Sequence, residues 1–356
     1  MSTGEGAGDF LLYGATGFVG GAMAEAAVAQ GLRPILAGRD ARTLERRAGE
    51  MGVGYRVFSL DDPLTLDAGL DGVSVVLHCA GPYIHTARQM VQACLRTGTH
   101  YLDITGEIPV FADIAERDDE AIDRGVMLLP GAGFDVVPTD CLALHLKQRL
   151  PSATHLAIAF RSRGPAGLPP GTQRTAIEML PYGGFVRRAG KLVKPARGAR
   201  TRIVDFGTGP TKVAGFTWGD IFTAYHSTGI PDIDTYLALP ASLRRSLAVA
   251  DAVRPLFRIA VVRRLLARGV RPGPTPETIA RTSTHVWGQV EDESGRTATT
   301  RLHGPEAGVV WTVRAALATV RRALAGDAPA GYQTPARAYG ADFVLELEGV
   351  TREDLD

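Results

Sequence analysis

The sequence predicts an α/β protein: a doubly wound parallel sheet followed by a second, α+β domain. Three observations predict it. The chain opens with a short apolar run, Asp9-Phe10-Leu11-Leu12-Tyr13, which enters a glycine-rich turn and continues at once into a helical segment, Ala22 to Gln30. Strand and helix patterns then alternate to about residue 150, the signature of a mostly parallel sheet with helices on both faces. Beyond Leu150-Pro151-Ser152 the alternation stops, and runs of strands and helices follow without strict order.

Each element has its own signal. Arg33 to Ala37 reads as a buried strand, followed by a helix near Ala41 to Met51, a strand Tyr55 to Ser59 and a short helix Pro63 to Leu70. Val73 to Cys79 reads as a largely apolar strand. A helix near Thr86 to Arg96, a strand His100 to Ile104, a longer helix Val110 to Arg124 and a strand Val126 to Pro130 come next. The helix Pro138 to Arg149 closes the first domain, expected over 1–150. The second domain, expected over 151–326, begins with the strand Leu156 to Ser162, a Pro/Gly-rich loop and a helix Thr172 to Leu180. Arg187 to Lys194 and Arg202 to Phe206 read as strands, and Pro240 to Arg268 as a long helix. Ser283 to Glu291 and Thr297 to His303 flank a hairpin turn at Asp292-Glu293-Ser294-Gly295, ahead of a helix Val309 to Leu324. Phe343 to Leu347 reads as one more strand, and the tail 327–356 is expected to pack back on the first domain.

The turn Gly14-Ala15-Thr16-Gly17-Phe18-Val19-Gly20 is what a dinucleotide pyrophosphate needs. One glycine allows the tight turn, one lets backbone approach the phosphates, and one lets helix and strand pack closely. The helix N-terminus then offers N–H groups and a partial positive charge. The alternative is an ordinary βα turn that binds nothing. The second strand ends in Gly38-Arg39-Asp40. NAD-selective folds place an acid at this strand end for the ribose 2′-hydroxyl. Here Gly38 stands there and Arg39 follows, and a guanidinium matches a 2′-phosphate in charge and geometry, with Arg42 in reach to assist. The reading favours NADP(H). Asp40 is either a helix N-cap or a ribose ligand.

Bulk properties narrow the classes. The formal net charge of +1 argues against a general nucleic-acid binder, and 45% hydrophobic with 22% charged residues fits a globular chain of two domains. Cys79, Cys94 and Cys141 form no CxxC pair, so a reducing, cytoplasmic setting is expected, without a disulfide framework or zinc site. Met1 to Gly8 has no basic n-region, and no run of about 18 uncharged apolar residues suggests a membrane span. No metal is expected: His78, His85, His226, His285 and His303 show no paired ligand spacing. No tyrosine has a lysine four residues on, and GxSxG is absent.

Three further segments read together with the glycine turn: His78-Cys79-Ala80-Gly81-Pro82-Tyr83, the stretch Thr97 to Glu107 (Thr-Gly-Thr-His-Tyr-Leu-Asp-Ile-Thr-Gly-Glu), and Gly131-Ala132-Gly133-Phe134-Asp135-Val136-Val137-Pro138-Thr139-Asp140. In that order the four motifs closely resemble the saccharopine dehydrogenase-like reductases, in the branch that includes trans-acting enoyl reductases of lipid and polyketide pathways. The resemblance covers roughly residues 10 to 190, and weakly Gly331 to Ala336. It implies a Rossmann domain, NADP(H) and a second domain that covers the nicotinamide. The substrate stays open, because such reductases act on chemically different molecules.

Cys79, Ala80, Gly81 and Pro82 are then expected to pass close to the cofactor, and Tyr83 to present a phenol toward the reacting centre or to pack as a lid. Asp103 ends a strand and Glu107 follows four residues later; they relay a proton or orient the nicotinamide, or cap the next helix. Asp135 is read as facing the site and Asp140 as a first-turn helix acid. Tyr83, Asp103 and Asp135 are the catalytic candidates. Arginines crowd the stretch 240–272 among Leu, Val, Ile and Phe. This basic helix would dock an acyl carrier protein, lie on a membrane surface, or pack its apolar face and solvate its arginines. The expected activity is NADPH-dependent reduction of an unsaturated, hydrophobic or carrier-bound metabolite, an enoyl C=C first. Imine or ketone reduction, saccharopine-type amino-acid dehydrogenation and non-catalytic, membrane- or partner-anchored NADP binding are the alternatives. A homodimer is expected by analogy with two-domain reductases.

Overall fold

The computed structural model describes residues 9–195, 200–240 and 253–355. They fall into two compact units: residues up to Gly133 with Thr312–Ala338, and Phe134–Trp311 with Tyr339 onward.

The first unit is built on β1 (Phe10–Tyr13), β2 (Pro34–Gly38), β3 (Tyr55–Val57), β4 (Val75–His78), β5 (His100–Asp103) and β6 (Met127–Leu129). A further strand, Gly331–Tyr332, completes a seven-stranded sheet in the order Gly331–Tyr332, β6, β5, β4, β1, β2, β3. Every pairing is parallel, with Leu12 flanked by Leu36 and Leu77. Leu11, Leu12, Leu36, Val76, Leu77 and Leu102 are fully buried, as strands covered on both faces require. The chain order reverses between β1 and β4. In doubly wound sheets ligands bind at that switch point, beyond the carboxyl ends of the strands.

The unit differs from the sequence expectation in three places. The helix expected over Val110 to Arg124 is two helices, Ile108–Ala115 and Asp118–Asp123. The second starts on three consecutive acids, which favour a helix N-terminus, and Asp118 Oδ1 accepts the Tyr332 N–H at 2.6 Å. The helix Thr312–Leu324, placed by sequence in the second domain, belongs to the first unit. Val313, Ala316, Leu317 and Val320 form its buried stripe, and Arg321 bonds Gln30 on the helix Phe18–Ala29 side. The expected boundary at 150 lies instead after Gly133, because the helix Val137–Arg149 belongs to the second unit. Leu142 and Leu146 pack there against the bare backbone of Gly288.

The second unit has a nine-stranded sheet running in space Thr201–Asp205, Pro210–Gly215, Asp232–Leu237, His155–Arg163, Ser283–Glu291, Thr297–Pro305, Thr351–Leu355, with Val186–Arg188 and Lys191–Val193 as a side hairpin. Only Asp232–Leu237 with His155–Arg163 is parallel. Trp287, Tyr236, Phe206, Val204 and Val213 cluster over Ala157 and Ala159. The single strand expected over Arg187 to Lys194 is this hairpin, turning on Ala189 (φ 46°) and Gly190 (φ 76°). Residues 210–237, which carry no strong periodicity, hold two strands and the helix Asp220–Thr228. The strand expected at Phe343 to Leu347 is a short 3-10 turn, Phe343–Glu346, with Phe343 and Val344 buried; the edge strand is Thr351–Leu355. The tail therefore divides: 327–338 goes with the first unit and 339 onward with the second. Of the expected helix Pro240 to Arg268, 241–252 lies outside the described residues, and the rest forms Arg254–Phe257 and Ala260–Ala267.

Candidate functional site

The switch point is assembled from backbone. Gly14 has φ +88°, and a Cβ on it would lie 2.8 Å from the Cys79 carbonyl carbon. A Cβ on Gly20 would lie 2.9 Å from Gly14 C and closer still to its oxygen. Both neighbours are main chain, so neither position can accept a side chain without moving the loop. Gly14 N–H donates to Ala37 O (2.8 Å) and Cys79 N–H to Tyr13 O (2.7 Å), tying the ends of β1, β2 and β4 together. The helix Phe18–Ala29 starts after Gly17 with no side-chain cap and no acid in its first turn. Its leading N–H groups and positive dipole end suit a phosphate. Arg47, not singled out by sequence, reaches this loop: its Nη1 donates to Ala15 O at 3.1 Å. It flanks the buried Leu44 and Ala48 on its helix, but nothing in the local sequence shows that it reaches a loop 32 residues away.

At the end of β2, Gly38 is buried while Arg39 and Asp40 are exposed. Asp40 is the N-cap of the helix Ala41–Met51, accepting the Thr43 N–H (3.1 Å) and hydroxyl (2.6 Å). Those bonds hold its carboxyl below the usual range. Among the described residues no acid pairs with Arg39. It lies close enough to Tyr13 to oppose the burial that pushes that phenol up to about 12.

β4 ends in His78, fully buried, with Nε2 3.0 Å from Thr86 Oγ1. Thr86 donates its own proton to Ala80 O at 2.8 Å, so the network assigns the His78 proton to Nε2 and leaves Nδ1 a buried acceptor with no partner. Burial pushes the imidazole down to about 3, so it is neutral at ordinary pH. Burial also raises the Cys79 thiol, with Asp103 adding to it, so this is no reactive thiolate. The Gly81–Pro82 peptide is cis. Tyr83 follows in a short 3-10 turn, its ring buried and edge-on to His78, centroids 5.4 Å apart.

The two acids after β5 are buried and act on backbone. Glu107 accepts the Tyr83 N–H on Oε1 and the Ile84 N–H on Oε2, both at 2.8 Å. Asp103 accepts from Thr105 N–H (2.9 Å), Gly131 N–H (2.8 Å) and Tyr101 O–H (2.6 Å), pinning the exits of β5 and β6. Burial pushes its carboxyl up to about 7, against the pull of these three bonds. Gly14, Ala15, Thr16 and Gly17 follow the end of β1 and lead into Phe18, Val19 and Gly20, the first turn of the next helix. Gly38 ends β2 and Arg39 follows it; Cys79, Ala80, Gly81, Pro82 and Tyr83 follow β4; and Asp103 ends β5, all strands of one sheet.

Asp135 belongs to the second unit, where its carbonyl accepts Trp218 Nε1–H at 2.7 Å. Close by, Ser227 donates to Asp140 (2.6 Å) and Thr139 to Asp220 (2.5 Å). Burial pushes Asp220 well above the ordinary carboxylate range; the Thr139 bond opposes this and the charges of Asp140 and Asp135 add to it. Cross-strand pairing also joins His285 and His303, Nδ1 to Nδ1 at 2.7 Å, which their sequence separation hides.

Residues 10–129 match a family model described as the saccharopine dehydrogenase NADP binding domain. A saccharopine dehydrogenase-like oxidoreductase of Bos taurus is 29% identical over 192 residues, 47% of this chain and 44% of the relative. A trans-acting enoyl reductase of Mycobacterium tuberculosis is 34% identical over 157 residues, 42% of this chain and 38% of the relative. The matches thus span less than half the length of these relatives. Saccharopine dehydrogenase (L-Glu forming) of Saccharomyces cerevisiae superposes with a TM-score of 0.66 over 98% of this chain and all of that one, at 12% identity, which shows a shared fold. The glycine turn, its helix and the parallel strands β1 to β6 all fall within residues 10–129, so this part of the first unit is similar to the NADP binding domain of saccharopine dehydrogenases.

Proposed function

We propose that the chain is an NADPH-dependent reductase of an unsaturated, hydrophobic or carrier-bound acyl metabolite, with an enoyl C=C as the acceptor. The carrying observation is the backbone-lined cradle at Gly14 and Gly20, set at an uncapped helix N-terminus in a domain matched to an NADP-binding family. The turn from Gly14 to Gly20 would hold the pyrophosphate, and Arg39 with Arg42 the 2′-phosphate. Cys79 to Pro82 would line the ribose and nicotinamide side. The bound cofactor supplies a hydride to the acceptor carbon. The name carried by the mycobacterial relatives supports an enoyl acceptor over an imine or ketone.

In this reading the buried acids position rather than react. Glu107 fixes the turn that carries Tyr83, and Asp103 fixes the loops beside it. The Tyr83 phenol holds the proton that completes addition of H2 across the double bond. Asp135 is assigned to shaping its own unit through the Trp218 contact.

The test is NADPH consumption by the purified full chain with enoyl, imine and ketone acceptors, each offered free and as a thioester. Enoyl turnover that falls about a hundredfold or more in Tyr83→Phe supports the reading, the range expected for loss of a general acid. Turnover only with an imine, or with a keto acid plus an amine, replaces the acceptor. Tight NADPH binding without turnover on any of them overturns the reductase assignment.

A further inference from the structure

Residues 253–271 contain six arginines and no aspartate or glutamate, interleaved with Leu, Ile, Val and Phe. A helix of this composition ordinarily buries its apolar stripe and leaves its arginines in water. Here most of the aliphatic residues are exposed along with the arginines, while Phe257, Val262 and Val270 are half-buried. At helical spacing Val261, Val262, Leu265 and Leu266 share one side of Ala260–Ala267, with Arg264 and Arg268 along its border. Val261 is 58% exposed, Leu265 55% and Leu266 41%, and on the approach Leu256 is 53% and Ile259 51%. Neither Arg254–Phe257 nor Ala260–Ala267 has any buried residue.

The segment is fastened through polar groups instead. Arg263 Nε pairs with Glu178 at 3.0 Å, on the neighbouring helix Pro170–Met179, and its Nη1 bonds Phe257 O (2.8 Å) and Arg258 O (3.0 Å). Arg271 N–H bonds Gln173 Oε1 at 2.9 Å. That leaves the side chains of Arg258, Arg264, Arg268 and Arg271 exposed, with no acidic partner among the described residues.

From this joint exposure of aliphatic side chains and unpaired arginines we infer that the segment 253–271 is a surface anchor for an anionic lipid bilayer. The aliphatic side chains enter the headgroup and acyl boundary, and the arginines beside them meet lipid phosphates. An acidic protein partner would satisfy the arginines but has less use for an exposed row of aliphatic side chains beside them. Aliphatic residues beside a basic border are the composition of helices that lie in the bilayer interface. Among the described residues no helix is long and apolar enough to cross a membrane, so this contact lies on the surface.

The experiment is co-sedimentation of the full chain with phosphatidylcholine vesicles, with and without a minor fraction of phosphatidylglycerol, at low and high salt. Partition onto the anionic vesicles is expected, weakened by salt. Arg264→Gln with Arg268→Gln should weaken it about twenty-fivefold, at about fivefold for each arginine near a charged surface. Leu265→Ser with Leu266→Ser should weaken it even at low salt. All four positions are exposed or at the border, and unchanged NADPH binding in the same samples shows the variants are folded. This readout also keeps the anchor separate from the reductase reading, since either can fail alone. Absence of partition onto anionic vesicles at low salt overturns the inference, as does equal partition of the variants. Arginine-dependent binding of a purified acyl carrier protein without vesicle binding assigns the surface to a protein and overturns it too.

Discussion

Removing the Glu107 carboxylate tests whether the acid after β5 holds the Tyr83 turn. Its two oxygens each accept one backbone N–H, the buried one of Tyr83 and the half-buried one of Ile84, both at 2.8 Å. A hydrogen bond to a charged group contributes about 1.5–3 kcal/mol, so Glu107→Ala should cost the turn about 3–6 kcal/mol. That corresponds to a rise of about a hundred- to ten-thousand-fold in the opening equilibrium of this turn. Native-state hydrogen exchange reads it directly, as faster exchange of the Tyr83 and Ile84 amides. Glu107→Gln keeps one acceptor oxygen and sets an NH2 against the other N–H, so it should deprotect one amide more than the other. If both variants exchange these amides at the wild-type rate, Glu107 does not hold the turn and the positioning role assigned to it is wrong.

Gly20→Ala places a Cβ against Gly14 main chain; overpacking of this kind costs about 1–3 kcal/mol. NADPH affinity should drop at least about tenfold while circular dichroism is unchanged; wild-type affinity would show that the cradle tolerates a side chain. His78 is neutral in the folded protein down to pH about 3. The unfolded chain takes up a proton near pH 6.5, so the folded state binds fewer protons between these values. Stability should therefore be fullest above pH 6.5 and fall by up to about 1.4 kcal/mol per pH unit below it. His78→Gln should flatten that limb in denaturant unfolding, and parallel profiles would contradict the assignment. In the second unit, a Cβ at Gly304 would lie 2.7 Å from Trp311 Cε3 on a rigid buried ring. Gly304→Ala should lower stability by about 1–3 kcal/mol in urea, and no change would mean the ring can shift.

Where local chemistry determines an element, the sequence predicts it well. The helix Ala41–Met51 follows from Asp40 as N-cap and Gly52 as left-handed terminator, and Pro63–Leu70 from Asp62 and a proline at its start. The apolar strands and the glycine turn are legible because burial on both faces and close backbone approach each demand particular residue types. The misplaced elements depend on distant partners. Val137–Arg149 goes to the second unit because Gly288, far along the chain, leaves room for Leu142 and Leu146. The Ala189-Gly190 turn lacks the Asn-Gly or Asp-Gly signal that marks a two-residue hairpin. At the site, spacing placed Asp103 and Glu107 beside the strand ends but did not show which atoms they serve. Their backbone partners at Gly131 and Tyr83 lie 28 and 24 residues away. Arg47 was invisible for the same reason, since Ala15 is 32 residues distant.

The central claim is that this crevice selects NADPH through Arg39. Fluorescence titration of the purified chain with NADPH and NADH, repeated on Arg39→Ala, tests it most directly. Loss of a charge-assisted contact to phosphate, at about 1.5–3 kcal/mol, should weaken NADPH about ten- to a hundredfold and leave NADH unchanged. Equal binding of the two cofactors by the wild type, no binding of either, or equal weakening of both by Arg39→Ala would contradict the account.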